Sequence, residues 1–232
     1  MAIRIVLIVQ MRLDSTRLPR KALLPLGDDI LAGAVMRRLR RIPADAYVLA
    51  SDADGAAELG SLAAARGFQA YAGPKDDVLA RFAGASRAYG ADIAIRATGD
   101  NPFTSYELGA MLAERFVAGR ADYSGYVGMP TGMGVELVRA SALYRAEREA
   151  SLSAEREHVC PYLYNHPELF SVDRPACPPA WRLPEGRLTV DTAEDYERVR
   201  RIVAELGPDP ADAELLDWLR GRSGGGHERR LG

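Results

Sequence analysis

Cysteine is scarce in this chain. Cys160 and Cys177 are the only two thiols and lack C-x-x-C spacing, while His166 and His227 have no partners at metal-ligand spacing. A disulfide framework and a Cys/His metal centre are thereby set aside, and both cysteines are expected as small buried side chains. Neither G-x-x-x-x-G-K-[ST] nor G-x-G-x-x-G occurs, which excludes the Walker and dinucleotide-binding loops. Charge of one sign is not in excess: 30 Lys and Arg against 32 Asp and Glu give a net charge of −2. That balance offers no diffuse attraction for nucleic acid, so any anion binding has to be local. No leader segment and no apolar run of membrane length precedes the first strand-like stretch. The expectation is a reduced cytoplasmic protein with no nucleic-acid and no membrane partner.

What the chain has in quantity is apolar sequence in short blocks. Hydrophobic residues make up 47% of the 232 positions, ample for the core of one large domain. IRIVLIV (3–9) is a continuous apolar run, the pattern of a strand covered on both faces. Leu31, Val35, Leu39 and Ile42 recur at helical spacing, with arginines filling the other faces. AYVLAS (46–51), FQAYAG (68–73) and ADIAIRATGD (91–100) read as further strands, separated by helices through 56–67 and 76–90. This alternation predicts a mainly parallel sheet with helices on both sides.

Residues 119–185 read differently. They are rich in glycine, tyrosine and proline, with a strand at VELVRA and helical stretches over 140–166, and are taken as an excursion from the sheet. The chain then returns in RLTVD, expected as a short strand ending at Asp191. Thr192 and Asp195 make a capping-box-like start to a helix whose apolar face is Tyr196, Val199, Ile202, Val203 and Leu206. SGGGHERRLG (223–232) reads as a flexible tail.

Ligands of such sheets bind beyond the carboxyl ends of the strands, and three polar features fall there. The loop within VQMRLDSTRLPRKALLPLG (9–27) carries Arg12, Arg17, Arg20 and Lys21 directly after the first strand. Several cations close together suit a polyphosphate better than a lone carboxylate; the alternative is a solvated charged loop in which Asp14 pairs locally. TGDNP (98–102) puts Asp100 at the end of the fourth strand, and Asp191 is the third feature. Magnesium needs only a few carboxylates beside water and phosphate oxygens, which makes Asp100 and Asp191 the candidate metal pair. Their alternatives are a turn residue before Asn-Pro and an acceptor leading a helix.

Gln10, Arg12, Ser15, Thr16, Arg17, Leu18, Pro19 and Lys21 spell Q-x-R-x-x-S-T-R-L-P-x-K. This order resembles the nucleotide-binding signature of sugar cytidylyltransferases, which include the synthetases of CMP-ketodeoxyoctonate and CMP-sialic acids. It is similar in particular to their bacterial relatives named for spore-coat polysaccharide biosynthesis. DDVLARF, RATGDNP, GVELVRASAL, EREHVCPYLYNHPELF and LTVDTAEDYERVR follow in family order, so the likeness spans residues 3 to about 203.

The resemblance implies a three-layer α/β sandwich of the nucleotide-diphospho-sugar transferase type, with a mainly parallel mixed sheet. Residues 1–222 would form a single nucleotidyltransferase-like domain, with 119–185 serving acceptor binding and dimerisation. It also implies CTP and Mg2+ at the carboxyl edge. An acceptor hydroxyl would attack the α-phosphate and pyrophosphate would leave, yielding a CMP-linked sugar or sugar acid for polysaccharide or glycoconjugate synthesis. Arg12, Lys21 and Asp100 are the expected catalytic residues. Gln10, Arg12, Ser15, Arg17, Lys21 and Arg81 are expected to bind the nucleotide, and Asp100 and Asp191 the metal. Arg96, Glu136 and His158 are acceptor-side candidates. A surface charge is the alternative for Arg81 and Arg96, a solvent-facing strand position for Glu136, and a structural histidine for His158. A homodimer is implied as well.

Many relatives read R-M-G-S-T-R-L-P-G-K where this chain has Leu13-Asp14 and Arg20. Asp14 inside a phosphate loop is expected either to turn outward or to pair with Arg20. Two other functions stay open on the sequence: a glycosyltransferase that uses a finished nucleotide sugar, and a non-catalytic nucleotide-binding partner.

Overall fold

A computed structural model describes residues 2–15 and 17–224. The chain opens with β1 (Ile5–Gln10), followed by a basic loop, a hairpin of β2 (Pro25–Leu26) and β3 (Asp29–Ile30), and α1 (Leu31–Leu39). Next come β4 (Ala46–Ser51), α2 (Ala53–Ala65), β5 (Gln69–Ala72), α3 (Val78–Ala88), β6 (Ile93–Thr98) and α4 (Tyr106–Ala118). The segment after α4 supplies β7 (Tyr123–Gly125), β8 (Glu136–Arg139), α5 (Ala140–Glu149), α6 (Ser153–His158), α7 (Pro161–Asn165) and β9 (Val172–Asp173). Helices α8 (Ala193–Leu206) and α9 (Asp212–Gly224) complete it.

The main sheet has the order β5-β4-β1-β6-β8-β7-β9. Strands β1, β4, β5 and β6 are mutually parallel, whereas β8 runs antiparallel to both β6 and β7. The chain is thus the expected three-layer α/β sandwich with a mainly parallel mixed sheet. Residues 119–185 do not leave that sheet: they extend it by three strands.

Alternation along β1 accounts for the layers. Val6 and Ile8 face α3, α5 and α7 through Phe82, Leu143 and Leu163, while Leu7 and Val9 face α1, α2 and α4 through Met36, Leu59 and Leu112. Each such side chain, once buried, contributes about 1.5–3 kcal/mol. A third apolar cluster lies beside α1, where Val199 and Ile202 of α8 and Leu215 of α9 meet Leu31, Phe103 and Leu188.

Side-chain caps fix where the helices begin. Asp52, Asp77 and Ser105 accept hydrogen bonds from the amides of Gly55, Ala80 and Leu108 at 3.0, 2.9 and 3.0 Å, each worth about 1 kcal/mol. The capping box of Thr192 and Asp195 is formed as its spacing predicts. α9 is docked by a buried guanidinium. Arg38, 1% exposed, donates to the carbonyls of Thr104 and Pro210 and pairs with Asp209 and Asp212 at 2.9 and 2.8 Å.

Three differences from the sequence reading matter for the site. The stretch before Asp191 is not a strand of the sheet: Leu188 and Val190 donate their amides to the carbonyls of Thr131 and Asp100, both at 2.8 Å, so loops satisfy its backbone. Helices α4 and α9 were not anticipated. Residues 223 and 224, expected in the tail, are helical, and 225–232 lie outside the described residues, His227 among them.

Candidate active site at the carboxyl edge of the sheet

The centre of the sheet brings the first motif and the GD turn together. Gln10 is in register with Thr98 on β6 and with Ala50 on β4. The chains leaving these strands stay close, since the Gly99 amide donates to the Gln10 carbonyl at 2.8 Å and the Met11 amide to that of Ala50 at 3.2 Å. A Cβ on Gly99 would strike the Met11 side chain and stand 3.0 Å from the Gln10 carbonyl. Only glycine allows the two loops to lie this close.

The cleft they form holds about 520 Å³. Gln10, Arg12, Ser15, Arg17 and Lys21 line it from one side, and Arg81, Arg96, Asp100, His158 and Asp191 from the others. Of the sequence candidates, only Glu136 is not on this wall. Thr16 is outside the described residues.

Lys21 is the junction of the site. Its ammonium donates to the Val190 carbonyl at 2.8 Å and to Asp100 Oδ2 at 3.1 Å, and lies 3.4 Å from Asp191 Oδ1. Asp191 Oδ1 is also 3.2 Å from Arg17, while its Oδ2 accepts from Arg187 at 2.8 Å. Arg187 was not foreseen: residues four apart are neighbours on a helix, and 187–191 is not helical, so the spacing to Asp191 carried no signal. Arg187 and Arg198 together hold the Asp195 carboxyl far below the usual carboxylate range, against the opposing effect of burial.

Among the described residues no cluster of three or more His, Cys, Asp or Glu could hold a metal. The donor set at Asp100 and Asp191 nevertheless fits a hard divalent cation, because both carboxylates reach one cationic atom and such an ion completes its shell with water and phosphate oxygens. The letters D-x-D occur at Asp52-Ala53-Asp54, but Asp52 is the cap of α2.

Asp14 does not pair with Arg20. Arg20 makes an ion pair with Glu58 of α2, and Asp14 is held by Lys75 at 2.9 Å, with Arg12 at 4.0 Å. Lys75 draws the Asp14 carboxyl below its ordinary value. Arg20 adopts a left-handed backbone, φ 54°, at the position where relatives read glycine.

The surface-charge reading of Arg81 does not hold. It is 1% exposed, donates to the carbonyls of Pro74 and Lys75 at 2.6 and 3.0 Å, and has no ion pair among the described residues. Burial, and next the charge of Arg12, pull its guanidinium below the usual value.

Arg96 is likewise no surface charge. It pairs with Glu136 and donates to Gln10 Oε1 at 3.2 Å. Burial alone would lower its affinity for the proton, but the Glu136 carboxylate outweighs it and raises the value. Glu136 also accepts from the Tyr123 hydroxyl at 2.6 Å, so it faces inward rather than solvent. Cys160 lies against the same carboxylate, where burial first and Glu136 second push its thiol up.

His158 is exposed on the cleft rim next to Val159, which has φ 70°. His166 sits elsewhere, stacked on Tyr162 and bonded to Glu168 at 2.9 Å.

A second cavity of about 440 Å³ adjoins the first and shares Arg96 and Thr98 with it. Tyr123, Tyr126, Glu136 and Arg174 line it, together with Asn101, whose buried Oδ1 has no partner.

A basic loop opposed to two carboxylates across the carboxyl edge of an α/β sandwich is an arrangement suited to nucleotidyl transfer. The chain belongs to the cytidylyltransferase family, whose model matches residues 6–214. It is 35% identical over 224 residues, 93% of either chain, to the spore coat polysaccharide biosynthesis protein SpsF of Bacillus subtilis. In fold it is similar to a cytidylyltransferase from Leptospira borgpetersenii, with a TM-score of 0.86, 24% identity and 96% of each chain covered. The fold is also that of a CMP:2-keto-3-deoxy-manno-octonic acid synthetase solved with CTP, with a TM-score of 0.67, 16% identity, and 87% of this chain and 99% of that one covered.

Proposed function

We propose that the chain transfers CMP from CTP to a hydroxyl of a sugar or sugar-acid acceptor and releases pyrophosphate, in the synthesis of a polysaccharide or glycoconjugate precursor. The observation that carries this reading is the contact of Lys21, from the phosphate-loop motif, with both Asp100 and Asp191. Magnesium held by those two carboxylates would supply charge neutralisation to the phosphates. Arg12, Arg17 and Lys21 bind the triphosphate and take up the charge that develops on departing pyrophosphate, where fixed cations reorganise little. Gln10, Ser15 and Arg81 hold the nucleotide.

The acceptor occupies the adjoining cavity. Glu136 and Arg96 form the wall towards the nucleotide, and His158 closes the cleft from the rim. The role in polysaccharide synthesis named for the Bacillus relative supports this choice of acceptor class. We read residues 1–222 as one catalytic unit working in the cytoplasm, where CTP is made. Among the described residues no helix is long and apolar enough to cross a membrane. A homodimer through 119–185 is part of the same reading. Leu152, 64% exposed in the turn before α6, belongs to that surface, and light scattering of the purified chain tests the pairing.

Calorimetric titration with CTP, UTP, GTP and ATP, with and without Mg2+, followed by a pyrophosphate-release screen over sugars and sugar acids, tests the function. CTP-selective binding that is strengthened by metal and weakened in Asp100→Ala is expected. Binding of a nucleotide sugar with no triphosphate binding would overturn it in favour of a glycosyltransferase.

A further inference from the structure

Lys21 stands where a divalent cation has to go. Its side chain is 16% exposed, and its ammonium faces the inner oxygens of both carboxylates, 3.1 Å from Asp100 Oδ2 and 3.4 Å from Asp191 Oδ1. The second oxygen of Asp191 is held by Arg187, which is anchored in turn by Asp195 at 3.3 Å. Arg17 adds a further cation at 3.2 Å from Asp191 Oδ1. The two negative charges of the pair are therefore opposed by three positive charges of the chain itself. A divalent cation arriving alone meets a site with no negative charge to spare and has to displace an ammonium to reach its oxygens.

A triphosphate changes that balance. In the cleft that Arg12, Arg17 and Lys21 line, its several negative charges would compete with the carboxylates for those cations. We propose that Lys21 keeps the two carboxylates closed to a free divalent cation and yields them only to one that enters together with the nucleoside triphosphate. Arg187 stays behind. Its bond to Asp191 Oδ2 keeps the carboxylate oriented while Oδ1 exchanges one cation for the other. The proposal rests on the reading of Asp100 and Asp191 as the metal ligands, and it gives the phosphate-loop lysine a role before any chemistry begins: it makes metal binding conditional on the nucleotide.

The test is the binding of Mn2+ to the protein without nucleotide, followed by the paramagnetic resonance signal of the free ion. Wild type is expected to bind weakly. Lys21→Met, which removes the charge and keeps the bulk, is expected to tighten Mn2+ on the order of tenfold or more, as the loss of a close like charge from a partly buried site implies. Lys21→Arg should show no gain, and adding Asp100→Asn to Lys21→Met should abolish it. Thermal melting confirms that each variant is folded, and Lys21→Gln replaces the methionine variant if that one is not. Wild type binding Mn2+ as tightly as Lys21→Met would overturn the proposal, as would a gain that survives Asp100→Asn. Calorimetry with CTP is run on the same proteins. Failure of CTP to bind counts against the cytidylyltransferase assignment of the cleft, while the nucleotide-free series still decides the role of Lys21.

Discussion

Asp14 and Lys75 join two loops across the mouth of the cleft: the carboxylate from the phosphate loop and the ammonium from the loop before α3 lie 2.9 Å apart. Asp14 lines the cleft and also lies 4.0 Å from Arg12, so the Lys75 ammonium offsets an acidic charge on the cleft wall. Lys75→Ala leaves the Asp14 charge to Arg12 and the cleft alone, so the KM for CTP should rise several-fold with kcat little changed. Asp14→Asn in the same protein should restore it. Steady-state kinetics at two ionic strengths check both, since an exposed pair weakens as salt rises.

Lys21→Ala and Asp100→Ala are expected to leave the fold intact and to lower turnover on the order of 10²- to 10³-fold or more, the loss typical of one fixed electrostatic contact to a developing charge. Pyrophosphate release per folded molecule, with circular dichroism as the control, measures it. Normal turnover in either variant would remove these residues from the mechanism.

Gly99→Ala places a methyl group between the Met11 side chain and the Gln10 carbonyl. Overpacking of this kind costs about 1–3 kcal/mol, and here it also pushes the phosphate loop away from Asp100. Urea denaturation and CTP titration should both report the change. Met11→Ala should return part of the stability and less of the binding, because the backbone oxygen cannot yield as a side chain can.

Arg38→Ala removes a guanidinium that lines neither cavity. Among the described residues it leaves Asp212, 4% exposed, with Ser105 and Trp181 as side-chain partners. Loss of one member of a buried pair costs about 3–5 kcal/mol. Stability is expected to fall by that order while turnover per folded molecule is kept, which separates this arginine from those in the cleft.

The carboxyl of Asp195 is depressed in the folded chain by Arg187 and Arg198. A depressed carboxylate stabilises the fold fully above its unfolded value, near 4, and loses that contribution as pH falls towards the folded value. The stability difference between wild type and Asp195→Asn should therefore be largest at neutral pH and shrink as pH drops below about 4. Denaturation curves across acid pH check the sign.

Much of this architecture was legible because its signals are local. The apolar run of β1, the whole of β4 and the capping box of α8 are each written within a few neighbouring residues. α4 carried a signal too, a Ser105 cap followed by Leu108, Leu112 and Phe116 at i, i+4 and i+8, overshadowed by the polar turn before it. The partners of Asp14 and Arg20 were not legible. Lys75 and Glu58 reach them from loops and helices that only the parallel sheet brings near. The segment before Asp191 looked like a strand because Leu188 and Val190 alternate with polar residues, yet its bonds go to loop carbonyls far along the chain. Arg20 shows a limit of another kind: its left-handed backbone is where glycine is favoured, and nothing in its own letter announces that.

Strand β6 has a property that follows from its place at the middle of the sheet. Arg96 and Thr98 are two residues apart on it and border both cavities. Residues so spaced project from the same face, about 7 Å apart along the strand. The wall that the two cavities share thus has a length set by covalent backbone geometry, like a scale ruled on a rigid bar. Loops beyond the bar can change without altering the length of that shared wall.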